Sequence, residues 1–424
     1  MSRKTILILI AILLVALGVW FYFSSGTPSG TNSSGTQKSL LSSLFPFGAG
    51  TNNQQNIKTQ EQGTTNPTEE TQSSNTPDKL IQISNRLVAG FIPLVTDTTP
   101  IIKHDIGGGP ESQITQSIFP TVRFAEKGTG YIYDIDVKGQ NEKKISETVI
   151  ARTAEALFAN GGVNVLLRYI KTDNTTIASF LGTVTAPANT NAVGTLTGNF
   201  LEENIPTVTT SPDKKNFLFL IPTNTGIAGI SMKGDGSGKK QLFTSSFSEW
   251  LLDWGTSPML TSKASSTVPG YAYTVLAGGS LQKVLGNIDG LTTKISPDGK
   301  TLLYSVSGGG SLNLHILTLK TGVDTNTGLT TLPEKCTWNT TSTVVYCGVG
   351  TAIVSAEYPD SWYKGVTHFT DSFWKIDTTT KTTTEINTGE GNNLDVINPS
   401  IDPTSQYLIF INKTNGSLWS LQLN

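Results

Sequence analysis

The stretch Ile295-Ser296-Pro297-Asp298-Gly299-Lys300-Thr301-Leu302-Leu303-Tyr304-Ser305 decides the fold. Pro297 pre-sets φ for a tight turn, Asp298 bonds back to nearby backbone, and Gly299 tolerates the left-handed region, while the apolar residues on either side read as strands. The expectation is a hairpin. The same plan recurs at Thr210-Ser211-Pro212-Asp213 before Phe217-Leu218-Phe219-Leu220, and at Phe158-Ala159-Asn160-Gly161-Gly162 before Val165-Leu166-Leu167. Looser copies stand at Trp254-Gly255-Thr256-Ser257-Pro258, at Trp338-Asn339-Thr340-Thr341 before Val344-Val345-Tyr346, and at Ile401-Asp402-Pro403 before Tyr407-Leu408-Ile409-Phe410. The equivalent positions Thr210, Trp254, Ile295 and Trp338 fall about 41 to 44 residues apart, the period of a four-stranded propeller blade.

At these residues the chain resembles the WD40-like propeller repeat of TolB-type periplasmic proteins, whose hallmark is the Ser-Pro-Asp-Gly-Lys turn followed by an apolar strand. The resemblance covers residues 79–424 and is fullest at Ser296. It implies an all-β propeller and no particular activity, because propellers host enzymes, binders and scaffolds alike.

Both chain ends carry a further signal. Leu80-Ile81-Gln82-Ile83 alternates like the outermost strands Lys143-Lys144-Ile145-Ser146 and Lys239-Lys240-Gln241-Leu242-Phe243. Ser417-Leu418-Trp419-Ser420-Leu421-Gln422-Leu423 reads as a third strand with no fourth after it. The two ends together complete one blade, which removes the free sheet edges of an open array. On that basis seven blades are expected: 88–146, 148–200, 205–245, 247–288, 290–331, 332–388, and one from Leu394 closed by the N-terminal strand. Six or eight are the alternatives, since insertions in the first, second and sixth blades blur the period.

Composition narrows the function classes. With 15% charged residues, a net charge of −2 and no basic stripe, nothing points to nucleic acid. Abundant Gly, Thr, Ser and Asn fit an all-β chain with many turns. Two Cys cannot staple a head this size, so ordinary apolar burial must hold it.

Residues 5–23 are uncharged and apolar, long enough to cross a bilayer as a helix. Arg3 and Lys4 precede the run and the next basic residue is Lys38, so residues 1–4 are expected in the cytoplasm and the rest outside. Trp20, Phe21, Tyr22 and Phe23 form an aromatic belt at the outer interface. A cleaved signal peptide is the competing reading; the length of the run and the lack of an Ala-x-Ala site weigh against it. Residues 24–78 are rich in Ser, Thr, Gly, Asn and Gln and read as a disordered tether spanning about 40 Å as a flexible coil. Leu40-Leu41-Ser42-Ser43-Leu44-Phe45-Pro46-Phe47 is an apolar island within it, either a transient cluster or a docking motif.

Gly309-Gly310-Ser311-Leu312-Asn313 lacks the second Gly of a nucleophile elbow, and Lys294 stands where a phosphate loop ending in Gly299-Lys300-Thr301 needs Gly. His104, His315 and His368 show no ligand spacing. Asp235 in Lys233-Gly234-Asp235-Gly236-Ser237-Gly238 offers too few oxygens for calcium and fits a Gly-rich turn between the third and fourth strands of a blade. No cofactor, metal or catalytic residue is expected.

Two features remain. Cys336 and Cys347 fall nearly opposite each other on the first two strands of the sixth blade, and outside the membrane a disulfide is the expectation. Between the second and third strands of that blade, residues 355–371 carry Tyr358, Trp362, Tyr363 and His368. As an exposed loop these aromatics would stack on sugars or anchor a protein partner; the alternative is a plug packed back over the propeller face. The sequence therefore reads as a membrane-anchored extracytoplasmic propeller, in periplasm or at a cell surface, that binds a protein or glycan of the envelope. The rival is a propeller hydrolase or lyase acting on envelope polysaccharide or peptide, with acids such as Asp134, Asp136 or Asp253 meeting in the central channel.

Overall fold

The computed structural model describes residues 79–94, 119–185, 192–352, 355–388 and 393–423. The anchor, the tether with its apolar island, His104 and the body of the first-blade insertion lie outside these residues. Among the described residues no helix is long and apolar enough to cross a membrane.

The head is a seven-bladed β-propeller, each blade a four-stranded antiparallel sheet. The blades comprise β2–β5 (Val88–Pro93, Thr121–Glu126, Ile132–Asp136, Lys143–Ser146), β6–β9 (Thr153–Ala159, Asn164–Ile170, Ile177–Thr185, Thr195–Phe200) and β10–β13 (Val208–Thr210, Asn216–Thr223, Gly226–Lys233, Lys240–Ser245). Next come β14–β17 (Trp250–Trp254, Pro258–Ser262, Pro269–Val275, Leu281–Asp289), β18–β21 (Thr293–Ile295, Thr301–Gly308, Ser311–Thr318, Val323–Asn326) and β22–β25 (Cys336–Trp338, Val344–Gly350, Asp371–Asp377, Thr383–Ile386). The seventh blade takes three strands from the C-terminus, β26–β28 (Val396–Ile401, Tyr407–Asn412, Leu418–Gln422), and its fourth from the start of the head, β1 (Leu80–Ser84). Leu80 faces Leu421 and Gln82 faces Trp419 across that closing ladder.

The second strand of each blade explains why the sequence shows continuous apolar runs rather than simple alternation. Phe217 and Phe219 of β11 pack with Ala159 and Leu166 of the preceding blade, while Leu218 and Leu220 point the other way, toward Trp250 and Leu260 of the following one. In β27, Tyr407, Ile409 and Ile411 face the first blade and Leu408 and Phe410 face the sixth. Both sheet faces are buried, so both sets of alternating positions must be apolar. Each such fully buried side chain contributes about 1.5–3 kcal/mol.

The deciding turn is built as its residue types require. Ser296 Oγ donates to Asp298 Oδ1 at 2.6 Å and accepts from Thr301 N at 2.9 Å, and Gly299 N donates to Ser296 O at 2.8 Å with φ +70° at Gly299. A Cβ at Gly299 would lie 2.1 Å from Thr256 Oγ1 of the neighbouring blade, so glycine is needed there for conformation and for space. The copies keep the frame with other residues: Ser211, Asn339 and Asp402 cap the turn from the first position, and Lys214, Ser342 and Ser405 take the positive φ at the fourth. These turns join first to second strands on one face of the ring, the hairpin face. The second-to-third-strand turns and the blade-to-blade connections share the other, the connection face.

Cys336 and Cys347 stand in register across β22 and β23, Cα atoms 4.0 Å apart, and are joined as a disulfide within the core between the fifth and sixth blades.

Candidate functional site

The insertion between β23 and β24 holds a short helix, α1 (Asp360–Tyr363), and it turns inward. Trp362 is 0% exposed and Tyr358 1%, packed with Phe369, Leu312 of the fifth blade, Leu332 of the connection before the sixth, and Ile397 of the seventh. The expected exposed aromatic platform is thus corrected for these two residues: their rings fill the gap between three blades, where burial outweighs display to solvent. Tyr363 is half-buried and His368 exposed.

What pins the plug is a buried charge cluster assembled from separate connections. Lys335 ends the 3-10 turn Pro333–Lys335, Asp395 precedes β26, and Asp371 opens β24. All three side chains are fully buried, with Lys335 Nζ 2.5 Å from Asp395 Oδ1 and 2.7 Å from Asp371 Oδ2. Trp362 Nε1 donates to both oxygens of Asp395, Phe369 N donates to Oδ2 at 3.3 Å, and Val396 N donates to Asp371 Oδ2 at 2.7 Å. Lys335 Nζ lies 4.6 Å from the Phe369 ring centre, and the ammonium groups of Lys335 and Lys413 each lie 5.2 Å from that of Trp362. Next along the chain, Glu334 accepts from Tyr363 Oη and, at 2.9 Å, from Thr292 Oγ1. Adjacent residues of the turn thus hold adjacent residues of the helix.

Burial sets the ionisation here. It pushes the Asp371 carboxyl up to about 6, Lys335 opposing and Asp395 adding to the rise. It raises Glu334, against the hydrogen bond from Tyr363, and lowers the ammonium of Lys413, against the attraction of Asp395. His368 Nδ1 approaches Asp395 Oδ2 at 3.8 Å from the solvent side. No spacing rule could have found this cluster, because Lys335 and Asp395 come from two different blade-to-blade connections and Asp371 from the start of β24.

The acids expected to meet in the channel do not converge. Asp134 on β4 is clamped by Arg123, Nε and Nη2 each at 2.7 Å. Asp136 closes the following turn, accepting from Lys138 N, Gln140 N and Asn141 Nδ2. Asp253 lies on the innermost strand β14 and accepts from Ile295 N at 2.6 Å and Trp254 N at 2.8 Å. Burial raises its carboxyl, against the attraction of Lys294. Lys214, whose side chain still reaches solvent, is pushed down to about 8 by burial and by repulsion from Lys294. His315 pairs with Asp324 at 3.2 Å, and Asp235 is satisfied by Ser237 within its own turn.

Among the described residues ten large apolar side chains are exposed, and they divide between the two faces. Of the described large apolar residues left exposed, Leu87, Val149, Phe247 and Val268 stand on connections or second-to-third-strand turns, Val366 stands on the plug, and Phe200 ends an outermost strand. These six belong to the connection face, spread from the first blade round to the sixth, while Val163, Val193, Leu276 and Val323 stand at first-to-second or third-to-fourth-strand turns of the hairpin face.

No family model matches the chain, and no curated protein matches it. Among solved structures, TolB from Acinetobacter baumannii is similar at 14% identity, covering 69% of this chain and 59% of that one, TM-score 0.37. A puromycin hydrolase is similar at 12% identity over 69% and 48%, TM-score 0.43. An oligogalacturonate lyase is similar at 10% identity over 72% and 86%, TM-score 0.42. The chain spans less than two thirds of the TolB and puromycin hydrolase chains.

Proposed function

We propose that this chain is a non-catalytic, membrane-anchored extracytoplasmic propeller that binds a protein or glycan of the cell envelope through its connection face. The observation that carries the reading is the set of exposed apolar side chains on that face, six of the ten exposed among the described residues, with Val366 at 76% and Val268 at 53% exposure. Scattered single apolar residues need no explanation, and four stand on the hairpin face, but six spread round the connection face offer a contact surface. The binding reading is further supported by Asp134, Asp136 and Asp253, each engaged locally in a different part of the fold, which leaves none of them paired with another for acid–base work.

The test is chemical crosslinking of the intact protein in its own membranes, with captured protein and carbohydrate both analysed, for the wild type and for a Val268→Asp, Val366→Asp double variant. Recovery of the captured partner should fall about tenfold in the variant, with its melting temperature unchanged, as for loss of an exposed anchor. Equal recovery from both proteins overturns the assignment of the face.

A further inference from the structure

The turn between β27 and β28, on the connection face of the seventh blade, lays Lys413 against the plug. Its backbone N donates to Asp395 O at 2.7 Å, and its side chain crosses the Trp362 indole with Nζ 5.2 Å from the ring centre. The residue is 8% exposed, and the ammonium is the end that solvent reaches. Among the described residues no oxygen accepts a hydrogen bond from Nζ, and no carboxylate oxygen lies within 4 Å of it. The nearby carboxylates are already occupied: Lys335 pairs with both Asp371 and Asp395, and Trp362 and Phe369 donate to Asp395 as well. An ammonium brings three donors, and holding them at a nearly buried position without an acceptor is costly. Two exposed apolar side chains flank the group. Val366 stands two residues before His368, whose ring approaches Asp395 at 3.8 Å. Leu87, 50% exposed, packs beside Gly416 of the Lys413 turn, where an added Cβ would lie 3.1 Å from Leu87 Cδ2.

We propose that Lys413 receives the carboxylate of an Asp or Glu side chain on a polypeptide partner, whose neighbouring apolar residues rest on Leu87 and Val366. One ammonium matches one carboxylate, whereas the dianion of a phosphate would meet the charge of Asp395 close by. Aliphatic flanks suit apolar side chains, while sugars stack on aromatic rings, and here Trp362 and Tyr358 are buried. The inference rests on the binding reading above and names its partner as an acidic polypeptide.

The experiment treats native membranes holding the full chain with a water-soluble carbodiimide, which joins an amine to a carboxylate only where the two touch, and maps the linked peptides by mass spectrometry. Asp371 and Asp395 are sealed from the reagent, so a link at Lys413 reports a carboxylate from outside the cluster. The expected product is an amide between Lys413 Nζ and an Asp or Glu of a second polypeptide. Lys413→Met keeps the stem over Trp362 and removes the charge. It should lower co-purification of that polypeptide in detergent about tenfold, at a melting temperature unchanged or raised, and Lys413→Arg should retain it within about threefold of wild type. The proposal is overturned by no link at Lys413 while other surface lysines are linked, by a link to a uronic acid of a glycan, or by full co-purification with Lys413→Met. A lowered melting temperature of the Lys413→Met protein also overturns it, because Lys413 would then be part of the plug. If Lys413→Met keeps the partner that the Val268→Asp, Val366→Asp protein loses, the carboxylate assignment fails and the binding function stands.

Discussion

Trp362 donates its indole N–H to both carboxylate oxygens of Asp395, each at 3.0 Å, and both groups are completely buried. This bond joins an insertion of the sixth blade to the threshold of the seventh, and it fixes a ring that lies near two ammonium groups. A group so placed holds the fold together at a blade junction.

Trp362→Ala should therefore lower the stability of the head by about 3–5 kcal/mol, the cost of removing a buried aromatic and leaving a cavity. Trp362→Phe should cost less in packing while still removing one donor from buried Asp395, a penalty of about 1–3 kcal/mol. Denaturant unfolding of the three proteins checks both. A Trp362→Ala protein as stable as wild type would mean that the plug is not part of the core.

The buried cluster predicts a pH dependence whose sign follows from Asp371. Its folded value, about 6, lies above the ordinary 3.8, so the native state holds this proton more tightly than the unfolded chain does. Stability from this group is fully present below about 4, is lost as pH rises through 4 to 6, and stays lost above; two pKa units correspond to about 3 kcal/mol. Asp371→Asn does not titrate, so the stability difference, wild type minus variant, should fall by about that amount between pH 4 and pH 7. Chemical denaturation at both pH values reads it directly. A difference that is constant, or that grows with pH, would show that Lys335 holds Asp371 ionised throughout.

The recurring turn offers a stabilising change. Ser405 occupies with φ +60° the position that Gly299 occupies with +70° in the fullest copy. A non-glycine residue there bears a steric cost, so Ser405→Gly should raise stability by about 0.5–1 kcal/mol even though glycine loosens the unfolded chain. A lowered unfolding midpoint would show that Ser405 makes some compensating contact.

The propeller was legible because its information is local. Ser296-Pro297-Asp298-Gly299 announces a turn, and the apolar runs beside it announce strands buried on both faces, so blade order and even the cross-strand pairing of Cys336 with Cys347 could be read by counting. The direction in which the aromatic insertion points was not legible. Trp362 has the same composition around it whether it faces solvent or core, and the deciding partner, Asp395, lies 33 residues away on another blade. Lys335 and Asp371 were missed for the same reason, since a buried ion cluster built from two connections and a strand end leaves no periodic trace. Exposure of Val366 and Val268 is likewise a property of the assembled face.

Closure of the ring gives the last prediction. The seventh blade has only three strands of its own, and β1 supplies the fourth by pairing antiparallel with β28. Leu80 packs with Leu421, Leu408 and Phe410 in the core shared by the sixth and seventh blades, while Ile83 packs on the other side with Leu418 and with Val137 of the first. Deleting 80–84 therefore removes apolar contacts from two inter-blade cores at once and exposes the edge of β28. Since each blade is held chiefly by its neighbours, the loss should propagate, lowering the melting temperature of the whole head by 10 °C or more, on the estimate that several kcal/mol are lost at roughly 2–4 °C per kcal/mol for a large domain. Calorimetry of the full-length and deleted proteins decides it. A deleted protein that melts within about two degrees of the intact one, in a single transition, would show that β1 is an accessory strand and that the other six blades with β26–β28 hold the ring without it.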